Sequence, residues 1–120
     1  TKPYSSDFEM ISGNEYVKDT WNDAFKSDEE ALQKGFITPY GASEPNEDFV
    51  ELLSTYITNT PKFWSDMLKT AGKDGSAIIL QKFDIVYNYM KNTWGIDLDE
   101  LRDIILRKQG EIDELELDTL

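Results

Sequence analysis

The sequence contains neither cysteine nor histidine. Without cysteine the chain can form no disulfide and offers no thiol nucleophile, and a zinc site of the Cys/His type cannot be built from it alone. A Ser-His or Cys-His catalytic pair is excluded for the same reason. The histidine and cysteine ligands of zinc sites are therefore absent from this sequence. The histidine base that activates a serine or cysteine nucleophile is absent as well.

Basic residues are also scarce. The 120 residues include 12 Lys and Arg against 24 Asp and Glu, a formal net charge of -12. Because a phosphate backbone is bound by clustered basic residues, we expect no nucleic-acid partner. No apolar run approaches the roughly 20 residues that span a bilayer, and no targeting signal is visible. With 39% hydrophobic residues, the chain can still form a buried core.

Apolar residues recur at helical spacing along most of the chain. Residues 1–13 are predicted to be an irregular entry, followed by a helix that Asn14 caps. Ser27 with Glu30 forms a capping box for a short helix that Gly35 ends. The other predicted boundaries are a helix start near Asn46, a start at Thr60-Pro61, a break at Gly72 and Gly75, a longest helix over 76–94, a stop at Gly95, a cap at Asp97 and a stop at Gly110.

These signals predict an all-α array of five or six helices. We expect residues 1–110 to form one helical subdomain and residues 111–120 to be an acidic, frayed tail. Trp21, Trp64 and Trp94 each lie on a predicted apolar stripe, so core packing is favoured over a role in carbohydrate stacking.

Residues 40–51 form the densest polar cluster. If a helix starts at Asn46, Glu47 and Glu51 lie one turn apart on the same face. Such a pair is either a solvated, acidic helix start or a metal ligand with a neighbouring acid that orients another ligand. Tyr40, which follows a proline in the preceding loop, is either a packing residue or a donor to a developing oxyanion.

Several segments in this order resemble one known family. They are residues 35–40 (GFITPY), 47–51 (EDFVE), 82–87 (KFDIVY) and 94–102 (WGIDLDELR). These segments resemble the zinc-binding metallopeptidases of Bacteroidetes known as substrate-import-associated zinc metallohydrolase lipoproteins, and the similarity covers residues 4–107. The resemblance implies the helical C-terminal subdomain of a zincin-like metallopeptidase.

In that family an H-E-x-x-H helix just upstream supplies two histidine ligands and a general base. A third ligand comes from a downstream helix, as in zinc peptidases that resemble anthrax lethal factor. The resemblance implies that Glu47 is this third ligand and that Glu51 supports the metal site from the second shell. It also implies that Tyr40, seven residues before Glu47, stabilises the transition state.

The sequence departs from the family because it contains no H-E-x-x-H. We therefore expect zinc in a full-length parent protein but none bound tightly by this chain, which would be inactive alone. Its partners would be the missing N-terminal half of the domain and a nutrient-uptake complex, with dimerisation through the exposed truncation face also expected. The parent would be lipid-anchored at the cell envelope, in the periplasm or on the outer-membrane surface.

Two other functions remain open at this point. The chain could be a non-catalytic helical module that binds a protein or glycan partner of a cell-surface nutrient-uptake system. It could also be a purely structural helical domain of a larger chain. The direction in which Glu47, Glu51 and Tyr40 point separates the enzyme interpretation from both.

Overall fold

The computed structural model describes residues 6–17, 25 and 27–118, and over these residues the chain is helical without a strand. The predicted all-α class is confirmed. The described part contains five α-helices: α1 (Ser6–Ser12), α2 (Asp28–Gln33), α3 (Pro45–Thr58), α4 (Pro61–Trp94) and α5 (Leu98–Asp118). Two short 3-10 turns, Gly13–Glu15 and Pro39–Ser43, precede α2 and α3.

The N-terminal segment differs from the prediction. Helix α1 occupies residues for which the sequence predicts an irregular entry, and the 3-10 turn that contains Asn14 ends before Tyr16. The predicted start of a helix at Asn14 is therefore wrong. Phe8 explains the early helix, because its side chain is fully buried. Its ring packs edge-on against that of Phe49, with 5.4 Å between the ring centroids. Trp21 lies outside the described residues.

Three predicted helix starts are confirmed by their caps. The Ser27 hydroxyl accepts a hydrogen bond from the Glu30 amide at 3.2 Å, and the Thr60 hydroxyl accepts one from the Phe63 amide at 3.1 Å. The Asp97 carboxylate accepts from two amides of the first turn of α5. Each side chain thereby satisfies an amide that has no partner within its own helix.

Helix α4 contains both glycines at which a break is predicted, and it is kinked at the first of them. Gly72 has a φ of 76° and a ψ of -175°, so the helical backbone is broken there as predicted. Gly75 does not break the helix. A Cβ on Gly75 would lie 2.4 Å from the carbonyl oxygen of Leu32, so this glycine allows α2 to approach α4 closely.

Helix α3 packs against α4, α5 and the 3-10 turn before it, while α1 and α2 pack against α4. Trp64 belongs to the core, as predicted. Trp94 is 63% exposed, so the prediction that it packs in the core is wrong. Trp94 is the last residue of α4, where the chain turns away at Gly95. The main core consists of Phe8, Leu32, Ile37, Phe49, Leu52, Trp64, Met67, Ala71, Ile79, Val86 and Leu98.

Helix α5 continues past Gly110 to Asp118, so the predicted stop at Gly110 is wrong. One glycine inside a helix costs only about 1 kcal/mol relative to alanine, which the neighbouring turns can offset. Side chains bridge this glycine through a contact between Lys108 and Glu111 and a hydrogen bond from Gln109 to Asp113. None of the helices described here combines the length and apolarity needed to cross a bilayer.

Candidate functional site

The loop between α2 and α3 carries the first of the candidate residues. We call residues 35–43 the site loop. Phe36 and Ile37 are buried and anchor its first half, and the 3-10 turn Pro39–Ser43 packs against α3 in its second half. The buried side chains of the loop hold its backbone in place. They thereby restrict the directions in which its polar side chains can point.

Tyr40 and Glu47 lie close together where the site loop meets α3. Tyr40 is 42% exposed on the site loop, and its side chain forms a hydrogen bond with Glu47 in the first turn of α3. The nearby Glu47 carboxylate raises the pKa of Tyr40, because the phenolate form would be repelled by it. Tyr40 thus remains a neutral hydrogen-bond donor at neutral pH.

Glu51 faces the same loop. The hydroxyl of Thr38 lies 2.8 Å from Oε1 and 2.7 Å from Oε2 of Glu51, so it can donate to this carboxylate. Burial raises the pKa of Glu51, while the Thr38 hydrogen bond opposes that rise. The negative charges of Asp48 and Glu47 add to the rise.

Gly41 provides the space for the Glu51 carboxylate. A Cβ at position 41 would lie 2.7 Å from Oε1 of Glu51, well inside van der Waals contact. Tyr40, Glu47 and Glu51 therefore converge on one region, between the site loop and the first two turns of α3.

Sequence reasoning missed the most deeply buried polar contact beside this region. Nζ of Lys82 in α4 lies 2.7 Å from Oδ2 of Asp48, and both side chains have 0% exposure. Tyr16 donates a further hydrogen bond to the same oxygen at 2.7 Å. Burial raises the pKa of Asp48 and lowers that of Lys82, and the attraction between the two charges opposes both shifts.

A signal for this pair exists in the sequence. Lys82 falls on the apolar stripe of α4, between the buried residues Ile79 and Val86. A lysine at such a position needs a buried partner of opposite charge. The partner is 34 positions away along the chain, at Asp48, so helical spacing alone does not identify it.

A groove of about 470 Å³ lies beside the start of α3. Glu9 and Met10 of α1 line one side, and Glu44 and Pro45 line the other. Tyr16, which donates to Asp48, also lines the groove, and Ser43 at the end of the site loop does so too.

The described residues do not form a zinc site by themselves. Catalytic zinc takes three protein ligands and one open position. No group of three or more acidic side chains in residues 6–17, 25 and 27–118 has the arrangement needed to hold a metal ion. Within these ranges no salt bridge joins Glu47 to a lysine or an arginine.

Two comparisons with known proteins give a match to this chain. Residues 1–99 match the model of a family described as "Putative zinc-binding metallo-peptidase". A solved structure, "Crystal structure of a putative zinc-binding metallo-peptidase from Bacteroides caccae", superposes with a TM-score of 0.87 at 38% sequence identity. The match covers 98% of this chain and 44% of that one, so the present sequence spans less than half of its structural relative.

No match was found among curated proteins. The family match covers more than half of the sequence, and the solved relative has the same helical fold over nearly all of it. The chain therefore belongs to the family of zinc-binding metallopeptidase-like proteins.

Proposed function

We propose that this chain forms one wall of the active site of a zinc-dependent hydrolase, and that its histidine ligands lie on a preceding segment of the same protein. The observation that supports this proposal is the convergence of Tyr40, Glu47 and Glu51 in a member of a zinc-binding family. The sequence itself has no histidine, and it spans 44% of its solved relative.

In this proposal each residue has a distinct role. Glu47 contributes one carboxylate ligand, and Glu51, held by Thr38, orients a ligand of the preceding segment. Tyr40 remains protonated beside Glu47 and would exchange its hydrogen bond with Glu47 for one to the oxyanion of the substrate. A bound zinc would activate water and polarise the scissile carbonyl.

The test uses the full-length protein that contains this chain. We expect one zinc per molecule after dialysis, and we expect Glu47→Gln to lower zinc affinity, measured by chelator competition, by more than about 100-fold. Glu51→Gln should cost about 10- to 100-fold, the usual range for a residue that supports a ligand.

Glu29→Gln is the matched control, since Glu29 also lies in the first turn of a helix. It should leave zinc affinity unchanged. Full-length protein without zinc, or unchanged affinity in Glu47→Gln, would contradict the proposal and favour a non-catalytic helical module that binds a partner. The 120-residue chain alone should show no submicromolar affinity in a calorimetric titration with zinc.

The location of the parent protein is a separate part of the proposal. On the strength of the resemblance to lipoproteins of substrate import, we propose a lipid-anchored protein of the cell envelope that acts in a nutrient-uptake complex. Fractionation of cells that express the full-length protein tests this part. Recovery in the cytoplasmic fraction would contradict it without affecting the zinc proposal.

A further inference from the structure

Burial of the Lys82–Asp48 pair carries a large desolvation cost, because both charges leave water. Both side chains are fully buried, and one carboxylate oxygen of Asp48, Oδ1, has no hydrogen-bond partner among the described residues. Apolar residues of similar volume in place of a buried ion pair are often as stabilising or more so. The contribution of the pair to this molecule is therefore not explained by burial alone.

The contacts of Lys82 connect three parts of the structure. Its ammonium group lies 2.7 Å from Asp48 of α3 and donates to the carbonyl oxygen of Gly35 at 2.9 Å. It also lies 4.0 Å from the ring centre of Phe36. Lys82 itself belongs to α4, so one side chain connects α4, α3 and the beginning of the site loop.

Asp48 also lies close to the second half of the site loop. A Cβ on Gly41 would lie 3.7 Å from Oδ1 of Asp48 and 2.7 Å from Oε1 of Glu51. Asp48 follows Glu47 directly and precedes Glu51 by less than one turn of a rigid helix. Any rotation of α3 that moves Asp48 away from Lys82 must also move both acids relative to Tyr40 and the loop.

We propose that Lys82 and Asp48 are positioning residues, which set the rotation of α3 so that Glu47 and Glu51 face the site loop. This inference rests on the proposed function for the meaning of the site, although its geometric part does not require zinc. A charge-assisted hydrogen bond suits this role because its strength depends on both direction and distance.

The first experiment uses the 120-residue chain. The double variant Asp48→Asn/Lys82→Met removes both charges and nearly preserves both shapes, so its melting temperature should stay within about 5 °C of wild type. Proton NMR contacts between the Tyr40 ring and the Glu47 methylenes should be lost, and amide exchange should quicken in residues 35–43.

Lys62→Met is the matched control. Lys62 lies on the same helix, α4, but its pair with Asp66 is exposed and links residues one turn apart. This variant should leave both the Tyr40–Glu47 contacts and the loop exchange unchanged. A folded double variant that retains them would overturn the proposal.

Tyr16→Phe decides the case if the double variant does not fold. It removes the hydrogen bond that Tyr16 donates to Asp48 and leaves the ring in place. We expect faster amide exchange confined to the site loop, and unchanged exchange there would overturn the proposal.

The second experiment separates this inference from the proposed function. In the full-length protein, the double variant should lower zinc affinity about 10- to 100-fold, as loss of a supporting contact does. If Glu47→Gln lowers the affinity and the double variant does not, the positioning role is wrong. If Glu47→Gln has no effect, the proposed function is wrong, and the NMR contacts in this chain still decide whether the pair positions α3.

Discussion

Glu51 is held by its surroundings rather than by its own helix. Thr38 donates to its carboxylate, and Gly41 leaves the space that the carboxylate occupies. Both partners belong to the site loop, so the orientation of Glu51 depends on the fold of a segment that precedes α3. A single methyl group at the right place in the loop can therefore disturb the site.

Gly41→Ala is the variant that introduces this methyl group. Gly41 does not have a positive φ, so alanine can adopt its backbone conformation. The new Cβ would meet Oε1 of Glu51 at 2.7 Å, and we expect the flexible side chain to move and lose its hydrogen bond from Thr38. The cost should be about 1 kcal/mol in the free energy of unfolding, measured with urea.

Thr38→Val provides the control for this prediction, because it removes the same hydrogen bond directly. The two substitutions should be less than additive when combined, since the second has no hydrogen bond left to remove. Additive losses would show that Gly41→Ala acts through something other than Glu51.

At the scale of elements, Gly75 of α4 and Gly110 of α5 have opposite roles. Gly75 lies where α4 touches the backbone of α2, and a Cβ there would approach the Leu32 carbonyl oxygen to 2.4 Å. A Cβ on Gly110 in α5 would meet nothing within 4 Å. The same residue type therefore marks a close helix contact in one case and an ordinary exposed helical position in the other.

Substitution of each glycine by alanine tests this distinction. Gly75→Ala should destabilise the protein by about 1–3 kcal/mol, because a backbone atom cannot move aside as a side chain can. Gly110→Ala should stabilise it by about 0.5–1 kcal/mol through helix propensity. Thermal unfolding followed by circular dichroism measures both, and a stabilising Gly75→Ala would contradict the close contact between α2 and α4.

For the whole molecule, Tyr56 connects α3 to the C-terminal helix. It donates a hydrogen bond to Asp99 of α5, and the guanidinium of Arg102 lies 4.2 Å from the centre of its ring. Burial, with a further contribution from the Asp99 hydrogen bond, raises the pKa of Tyr56 to about 12 from its ordinary value of 10.0. Folding is thereby linked to the protonation of this phenol.

The sign of the resulting pH dependence follows from the raised pKa. Between about pH 10 and 12 the unfolded chain loses the phenol proton while the folded chain retains it, so the free energy of unfolding should fall across this window. Below pH 10 the stabilisation is fully present. Urea titrations of wild type and Tyr56→Phe should show the difference between them shrinking over this range, and a constant difference would refute the link.

The candidate site was partly predictable from the sequence. The spacing of Glu47 and Glu51 placed both acids on one face of α3, and the resemblance added Tyr40 and the expectation of zinc. The zinc roles themselves stay predictions. Thr38 was missed because a loop threonine has no periodic signal, and its contact with Glu51 forms only when the loop folds back over α3.

The sequence by itself determined most of the helices, because their starts depend on local caps such as Ser27, Thr60 and Asp97. It also determined that this chain has no histidine with which to bind zinc. Only the tertiary structure decided that α1 forms around Phe8 and that Lys82 pairs with Asp48. These outcomes depend on contacts between residues far apart along the chain, and their energies appear only when the helices pack.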